Sequence, residues 1–262
     1  MQQSKSDGDP FKFPKRSLSI AFAAGSILLF LFIALATFSA TQIQVHVGDP
    51  SYSIDGENLV LSVPVNISNN GLFDLQNLQI NSTVFGGGVE LFNSTTLVSR
   101  IEHESETTFA HNVTVNLPDF LGNHKDFLFN DSELQAAESV HVIVTSLLPV
   151  EVDFNHTYSW GAPLNGFSTS NLLFQPVNST TVQASLNVHF NNHATFSLEG
   201  NVTLSFFSGP EQVAGQTLQL SVNSGDSFSS PIQLLVPITV QVTRVSMTVQ
   251  TGFFSWEENV YG

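Results

Sequence analysis

Two stretches of the chain read alike: residues 65–75, VNISNNGLFDL, and residues 188–198, VHFNNHATFSL. They share the pattern V-x-[IF]-x-N-x-[GA]-x-F-x-L at a constant offset of 123 residues. Self-similarity of this length indicates a structural unit that occurs twice in the chain. Each copy runs on into a further alternating stretch, which begins at Leu78 in the first copy and at Val202 in the second.

Strict alternation of apolar and polar residues leads into both copies. Residues 59–67 place two Leu, two Val and one Ile on one face, and residues 182–190 place two Val, Ala, Leu and Phe on one face. A period of two is typical of a strand with one buried face. Pro64 falls on the opposite face and indicates an edge or a bulge. Because Gly and Asn punctuate short strands throughout, the sequence predicts an all-β fold of antiparallel β-sandwiches, immunoglobulin- or fibronectin-like.

An apolar run of 23 residues without a charge stands near the N-terminus, residues 18–40, LSIAFAAGSILLFLFIALATFSA. As a helix rising about 1.5 Å per residue, it is long enough to cross a hydrocarbon core of roughly 30 Å. The sequence therefore predicts one transmembrane helix at residues 17–41. Two alternatives stay open: a cleaved signal peptide ending near residues 37–39, and an archaeal prepilin-type leader that ends near Ser17.

The distribution of basic residues orients the predicted helix. Lys12, Lys15 and Arg16 lie just before it, whereas the next basic residue after it is Arg100. The positive-inside rule then predicts that residues 1–16 form a cytoplasmic tail. The bulk of the chain is expected on the extracytoplasmic side of the cell membrane, after a single span.

The chain after residue 40 is strongly acidic. It holds 20 of the 22 Asp and Glu residues but only three of the seven Lys and Arg residues. Such a surface repels phosphate backbones, so we expect no nucleic-acid partner. The chain has no Cys, which excludes thiol catalysis and Cys-ligated metal.

Eight N-x-Ser/Thr sequons follow the apolar run, more than chance predicts even for a chain rich in Asn, Ser and Thr. They predict a glycosylated surface protein. The acceptor residues are Asn66, Asn81, Asn93, Asn112, Asn130, Asn155, Asn178 and Asn201.

The repeat divides the exported part into two tandem domains. We predict the first at residues 43–160 and the second at residues 167–262. Residues 161–166, GAPLNG, are rich in turn formers and are expected to link them. The first domain is longer and is predicted to hold a helical insert near residues 117–138.

A second match supports the position of this insert. Residues 158–160, YSW, parallel residues 254–256, FSW, at an offset of only 96. The recurring tryptophans are expected to pack in the core or at the ends of the sandwiches. Within the insert, Asp131 or Ser132 is expected to cap a short helix over residues 133–138.

The strand-turn-strand N-x-[GA]-x-F-x-L, followed by glycine-rich loops, resembles the WHy domain of the late-embryogenesis-abundant group 2 proteins. The glycines are Gly86, Gly87 and Gly88 in the first copy and Gly209 and Gly215 in the second. The resemblance covers about 200 residues. It implies a seven-stranded sandwich, often tethered by one N-terminal helix, with a stress-protective or interaction role and no catalytic residues. The sequons, the acidity and the missing Cys suggest an archaeal envelope.

Candidate ligand-binding residues are few. Glu102, Glu104 and Glu106 are the densest acidic cluster and form a weak candidate cation site, although they lack the Asp/Asn-Gly loop pattern of a calcium site. His189 and His193 are four residues apart, which on a strand is about 13 Å and too far for one ion. We interpret Asn69 and Asn192, which recur in both copies, as turn residues that bond nearby backbone.

No G-x-S-x-G, HExxH, phosphate-loop or dinucleotide motif occurs in the chain, so we expect no enzymatic activity and no cofactor. The sequence favours a structural or interaction protein of the cell envelope, with an envelope protein or a glycan as partner. One alternative is an apolar-ligand or lipid-binding module. It is suggested by the abundance of Phe, including Phe120, Phe127 and Phe129 in the insert. Another is a pilin-like filament subunit.

Overall fold

Both alternating stretches form strands of antiparallel sheets, as predicted. The structure is a computed structural model that describes residues 15–145 and 147–261, with side chains from residue 25 onward. The described residues form sixteen strands in four antiparallel sheets, together with three helices. The longest helix, α1 (Lys15–Thr41), precedes every strand.

The first repeat builds two sheets from eight of these strands: β1 (Ile43–Val47), β2 (Ser51–Asp55), β3 (Asn58–Asn69), β4 (Leu75–Gly86), β5 (Val89–Ile101), β6 (Ser105–Asn116), β7 (Ser132–Val144) and β8 (Leu148–Trp160). In one sheet, β3 lies between β6 and the two short edge strands β1 and β2. The other sheet has the order β5-β4-β7-β8. We call this unit the first sandwich.

The second repeat builds the same arrangement from eight further strands: β9 (Asn165–Thr169), β10 (Leu173–Pro176), β11 (Thr181–Asn191), β12 (Leu198–Ser208), β13 (Glu211–Val222), β14 (Ser227–Pro237), β15 (Arg244–Thr251) and β16 (Ser255–Tyr261). Strand β11 lies between β14 and the pair β9 and β10, and the facing sheet has the order β13-β12-β15-β16. We call this unit the second sandwich.

Pro64 lies in a central strand rather than at an edge. Its missing N–H falls opposite the gap between β1 and β2, and its carbonyl accepts a hydrogen bond from Gly48 N at 2.9 Å. A Cβ on Gly48 would come within 2.8 Å of the proline ring. The proline is tolerated here because the edge is split at this point and no continuous ladder needs its N–H. The second sandwich has the same split between β9 and β10, where Asn187 stands at the equivalent position.

Asn69 and Asn192 perform the same structural task in the two sandwiches. The Asn69 side chain donates to the carbonyls of Phe73, Ile101 and Glu102 and accepts from Gly71 N. The Asn192 side chain makes the matching contacts: it donates to the carbonyls of Phe196, Val222 and Asn223 and accepts from Ala194 N. Both residues are fully buried. The prediction that they are turn residues is confirmed.

The C-terminal end of α1 is fixed to the first sandwich. Ser39 is 1% exposed, and its hydroxyl accepts hydrogen bonds from Leu72 N at 2.9 Å and Phe73 N at 3.3 Å. A Cβ on Gly71 would overlap Ser39, so the first copy of the motif needs glycine here, whereas the second copy carries Ala194. The contact lies in the β3–β4 loop, close to the Asn69 side chain.

Most of the α1 surface that the structure describes is exposed, including Ile27, Leu28 and Phe30. Among residues whose side chains are described, no helix is long and apolar enough to span a membrane. Residues 1–14 of the predicted cytoplasmic tail lie outside the described residues.

A short insert between β6 and β7 of the first sandwich packs against the second sandwich. It consists of α2 (Leu117–Asn123), which Asn116 caps by accepting from Asp119 N at 3.0 Å, and α3 (Asp126–Phe129). Leu117, Leu121 and Leu128 from these helices belong to a hydrophobic cluster that continues through the core of the second sandwich. The end of the first sandwich nearest α1 has a separate cluster.

Two details of the sequence interpretation are wrong. Residues 133–138 are part of strand β7, because they pair with β8 in continuous antiparallel register. The match of residues 158–160 to 254–256 does not join equivalent positions, since Trp160 ends β8 whereas Trp256 stands near the start of β16. Both tryptophans nevertheless pack, and the insert separates them: Trp160 contacts Phe120 and Phe127, and Trp256 contacts Phe129.

Candidate functional site: an apolar cleft in the first sandwich

One side of the first sandwich is open between the edge strand β8 and the edge strands β1 and β2. Val152 and Phe154 on β8 pair with Val140 and Glu138 of the core strand β7, so their side chains lie on the inner face of the sheet. They are 54% and 42% exposed, and Val45 on the opposite edge is 57% exposed. Inner-face side chains are this accessible because the facing sheet does not reach over them.

The opening leads into a cavity of about 210 Å³ between the two sheets. Apolar residues make most of its wall, and Tyr158 also lines a smaller cavity of about 50 Å³. The residues that line the larger cavity are contributed by both sheets, with Val45, Val47, Val63, Val65, Ile80 and Val140 among the aliphatic ones. Concave, largely apolar cavities with a few polar groups are typical ligand sites.

Glu138 is the carboxylate in this cavity. It stands in the inner-face phase of β7, between the buried Ala136 and the partly buried Val140. Burial raises the pKa of its carboxyl above the ordinary value. Burial also raises the pKa of the neighbouring Tyr158 hydroxyl to about 12, and the charge of Glu138 is the second largest cause of this rise. The hydroxyl donates to Glu138 Oε1 over a long 3.4 Å.

His111 forms the polar floor next to Glu138. Its Nε2 lies 2.8 Å from the Ser82 hydroxyl, and its Nδ1 lies 2.9 Å from the Thr96 hydroxyl. Burial lowers the pKa of His111 below its ordinary value, so the neutral ring is the favoured form. A Ser–His contact is one half of a nucleophile–base arrangement, but the second ring nitrogen meets a hydroxyl here instead of an orienting carboxylate. Ser82 is itself buried, with 2% of its surface exposed.

The corresponding side of the second sandwich is bridged by aromatic contacts. Phe167 on β9 and Trp256 on β16 have ring centroids 4.8 Å apart, and Phe129 from the insert packs against both rings. Further along, Phe174 on β10 lies 6.4 Å from Tyr261 on β16. Aromatic side chains therefore span the gap between edges that the valines of the first sandwich leave open.

The predicted cation candidates are not gathered into a site. Glu102 lies 3.9 Å from Arg100, which also binds Asp74 at 2.6 Å. Glu104 stands in a turn at positive φ, and Glu106 accepts a hydrogen bond from Asn66. Within the described residues, no group of three or more His, Asp or Glu side chains is arranged to hold a metal ion.

Asp74 lies beside Arg100 and binds His103, near the acidic cluster. The backbone N–H of His103, followed by the His103 ring and Arg100, lowers the pKa of the Asp74 carboxyl below its ordinary value. These groups tie the β5–β6 turn to the β3–β4 loop, so we interpret the cluster as structural.

The two predicted histidines also lie apart. His189 is on β11 and pairs with Ser168 and Ser229. His193 lies at the junction of the sandwiches, where its Nδ1 is 2.8 Å from Asp131 Oδ2.

The eight sequon asparagines differ in exposure. Asn93, Asn112, Asn130, Asn155 and Asn178 are exposed, whereas Asn66, Asn81 and Asn201 are partly buried. Asn81 lies in the central strand β4, where its side chain bonds Gln79, Thr95 and Ser139.

The sequence interpretation missed Glu138, although a signal was present. Apolar residues occupy every other position of β7 from Leu134 to Val144, and Glu138 is the exception in that phase. The assignment of residues 133–138 to a helix hid this phase. The Phe residues of the insert, which suggested an apolar-ligand module, pack around Trp160 and Trp256.

Comparisons with known proteins add little to this geometry. No family model matches the chain, and no curated protein matches it. Among solved structures, red sea bream transglutaminase is 11% identical over 84% of this chain and 31% of its own, with a TM-score of 0.29. The putative ApaA protein from Bordetella pertussis is 14% identical over 46% of this chain and 94% of its own, with a TM-score of 0.31.

The periplasmic chaperone SfaE is 12% identical over 84% of this chain and 98% of its own, with a TM-score of 0.26. The chain spans less than a third of the transglutaminase that it matches. At these scores the likenesses carry no argument about function.

Proposed function

We propose that the chain is a non-enzymatic, membrane-anchored protein of the cell envelope that holds two β-sandwiches outside the membrane as a structural or interaction module. The observation that carries the proposal is the continuity from α1 into the first sandwich. Ile27 and Phe30 on the helix are 67% and 72% exposed, whereas Ser39, three turns further on, is buried against the β3–β4 loop. An apolar helix that exposes most of its surface suits a lipid environment, because water would penalise it.

The way in which the units are joined supports a stiff module. The β3–β4 loop of the first sandwich receives Ser39, and the matching β11–β12 loop receives Ala162 through the hydrogen bond from His193 N to Ala162 O at 3.0 Å. Ser39 and Ala162 are separated by the repeat offset of 123 residues. Each motif loop therefore anchors the segment that comes before its own sandwich, and this limits bending at both joints.

The finer assignments belong to the same proposal. Immunoglobulin- or fibronectin-like sandwiches of the WHy type, an extracytoplasmic location, an archaeal envelope and glycosylation at the exposed sequons are consistent with one another. The envelope partner, a protein or a glycan, would meet sandwiches that are strongly acidic and stand on one membrane span.

Membrane topology tests the proposal directly. Membranes from cells that express the full chain are extracted with alkaline carbonate and digested with protease from the extracytoplasmic side. We expect the chain to stay in the membrane fraction and both sandwiches to be accessible. Replacing Ile27 and Phe30 by Lys should release the chain, whereas replacing the exposed sandwich residues Leu97 and Leu235 by Lys should not.

Two results would overturn the proposal. Recovery of the parent chain in the carbonate extract would exclude an integral anchor. N-terminal sequencing that finds a mature chain beginning at Leu18 would favour a pilin-like subunit, and one beginning near Ala40 would favour a cleaved signal peptide.

A second candidate function is favoured by the cleft. We propose that the first sandwich binds an apolar ligand, such as a lipid chain, in the cavity of about 210 Å³ between β8 and the β1 and β2 edge. Its aliphatic wall and the accessible Phe154 and Val47 support this candidate. The chain is transferred into lipid nanodiscs and analysed by mass spectrometry, which should detect bound apolar ligand. The same ligand should protect the residues that line this cavity from photolabelling. A variant with a filled cavity, such as Val140→Trp, should lose both the bound ligand and the protection.

A further inference from the structure

The cavity of the first sandwich carries a polar layer that the second sandwich lacks. In the first sandwich, Glu138 pairs with Ser82 across the inner face of one sheet, and His111 pairs with Val63 in the facing sheet. Each sheet thus contributes polar groups at the same level of the core. The layer lies between the two hydrophobic clusters along β4, where Ser82 stands between Ile80 of one cluster and Val84 of the other.

The second sandwich is an internal control for this layer. On the inner face of its corresponding strands, β12 and β15, the pairs are apolar and buried: Val202 with Val249, Leu204 with Met247, and Phe206 with Val245. In the facing sheet, Leu186 pairs with Ile232, and both are buried. The fold therefore closes without a carboxylate or an imidazole in its core.

Glu138 keeps unused hydrogen-bonding capacity. A carboxylate has two oxygens that accept about four hydrogen bonds. Among the described residues its hydrogen-bond partner is the Tyr158 hydroxyl, at 3.4 Å, and the electrostatic contribution from His156 on the cavity rim is weaker than the effect of burial. Glu138 is partly buried, so its carboxylate still meets solvent, but burial disfavours its charged form. A ligand head group that donates hydrogen bonds would compensate the carboxylate where the cavity removes it from water.

We infer that Glu138 binds the polar end of a single-chain amphiphile whose head group donates hydrogen bonds, an amine or an alcohol. This inference rests on the proposal that the cleft binds an apolar ligand. The alkyl chain lies along Val47, Val65 and Val140, and the head group donates to the carboxylate beside Tyr158. A fatty acid is disfavoured, because its carboxylate would face Glu138 with a like charge.

Paired photoreactive probes test the inference. The full chain in lipid nanodiscs is exposed to a diazirine-bearing long-chain alkyl amine, to the matching alcohol and to the matching carboxylate, and labelled peptides are identified by mass spectrometry. The experiment is done in about 1 M salt, where the Debye length is about 3 Å and the general attraction of an acidic protein for amines is screened. We expect amine and alcohol to label peptides of β7 and β8, and carboxylate to label them about tenfold less, the order expected for one hydrogen bond to a charged group.

Two variants with the same net charge separate the local effect from the global one. Glu138→Gln should bring the amine and carboxylate yields to within about twofold, because the amide both donates and accepts. Glu151→Gln, on the exposed outer face of β8, should leave the tenfold preference unchanged.

The outcomes distinguish the two proposals. If no probe labels β7 or β8 in the parent chain, the cleft does not bind apolar ligands and both proposals fail. If all three probes label these strands equally, or if Glu138→Gln leaves the preference intact, the cleft binds alkyl chains but Glu138 does not select the head group.

Discussion

Ser82 Oγ lies 2.8 Å from His111 Nε2, and this contact joins the two sheets of the first sandwich through a polar interior. His111 is 3% exposed, and Thr96 holds its other ring nitrogen. A hydrophobic core normally favours apolar side chains at such positions, as the buried pair Leu186 and Ile232 demonstrates in the second sandwich.

The first prediction concerns pH and His111. Burial lowers its pKa in the folded protein, so the unfolded chain binds a proton first as the pH falls. The stability from neutral His111 is fully present above about pH 6.5 and is lost as the pH falls from there toward the lower folded pKa. We expect His111→Gln to lose less unfolding free energy than the parent between about pH 7.5 and about pH 5.5 in urea titrations.

Glu138 faces the same cavity and acts in the opposite sense. Its raised pKa means that the folded protein binds a proton more readily than the unfolded chain, so lowering the pH toward 4.5 relieves its burial cost. Glu138→Gln should therefore lose more stability than the parent as the pH falls toward 4.5. Equal pH slopes in the parent and His111→Gln would show that His111 does not titrate differently in the two states.

The second prediction concerns the buried asparagines. Asn192→Ala leaves the carbonyls of Phe196, Val222 and Asn223 without their side-chain donor inside the protein. We expect a loss of about 2–4 kcal/mol in the free energy of unfolding, measured by urea denaturation of the full chain. Asn69→Ala should cost a similar amount, because it removes the matching contacts.

Asn70→Ala is the control, since Asn70 is exposed and directly follows Asn69 in the same loop. It should change the stability by less than about 0.5 kcal/mol. A cost for Asn192→Ala that is no larger than that of Asn70→Ala would mean that these hydrogen bonds are replaced by water at no loss.

The third prediction concerns the joint between the sandwiches. A Cβ on Gly161 would overlap the backbone carbonyl of His193, and backbone cannot swing aside as a flexible side chain does. Gly161→Ala should therefore loosen the joint, at a cost of about 1–3 kcal/mol. It should also move the fluorescence of the adjacent Trp160 to longer wavelength and speed limited proteolysis within residues 161–166.

Gly122→Ala provides the comparison, because an added Cβ there meets nothing within 4 Å. The variant should keep the parent's fluorescence and its resistance to protease. If Gly161→Ala behaves in the same way, the joint adapts to the extra methyl group and is not as rigid as the contacts indicate.

The fourth prediction ranks the sequons. In a host that attaches N-linked glycans, the exposed Asn93, Asn112 and Asn155 should be occupied more fully than Asn81, whose side chain is held by Gln79 and Thr95. Glycopeptide mass spectrometry measures the occupancy at each position. Occupancy of Asn81 equal to that of the exposed positions would indicate that modification precedes folding.

The sequence alone determined the strands around the repeat and the burial of their alternating faces, because a period of two fixes which side chains share a face. It also located the asparagines that recur in both copies. It could not identify the open cleft, because that depends on the distance between β8 and the β1 and β2 edge, which are joined only through the sheets between them. The residues that close the equivalent gap in the second sandwich, Phe167 and Trp256, are likewise far apart in the chain.

Tertiary structure also decided the meaning of individual residues. Glu138 shares the apolar phase of its strand in the sequence, but only the pairing of β7 with β4 and β8 shows that this phase faces the interior. Trp160 and Trp256 read as equivalent from their flanking residues, but the register of β8 and β16 places them at opposite ends of matching strands. The sequence determined local periodicity, which follows from backbone geometry. Only the tertiary structure decided which inner faces are covered, since coverage depends on contacts between distant segments.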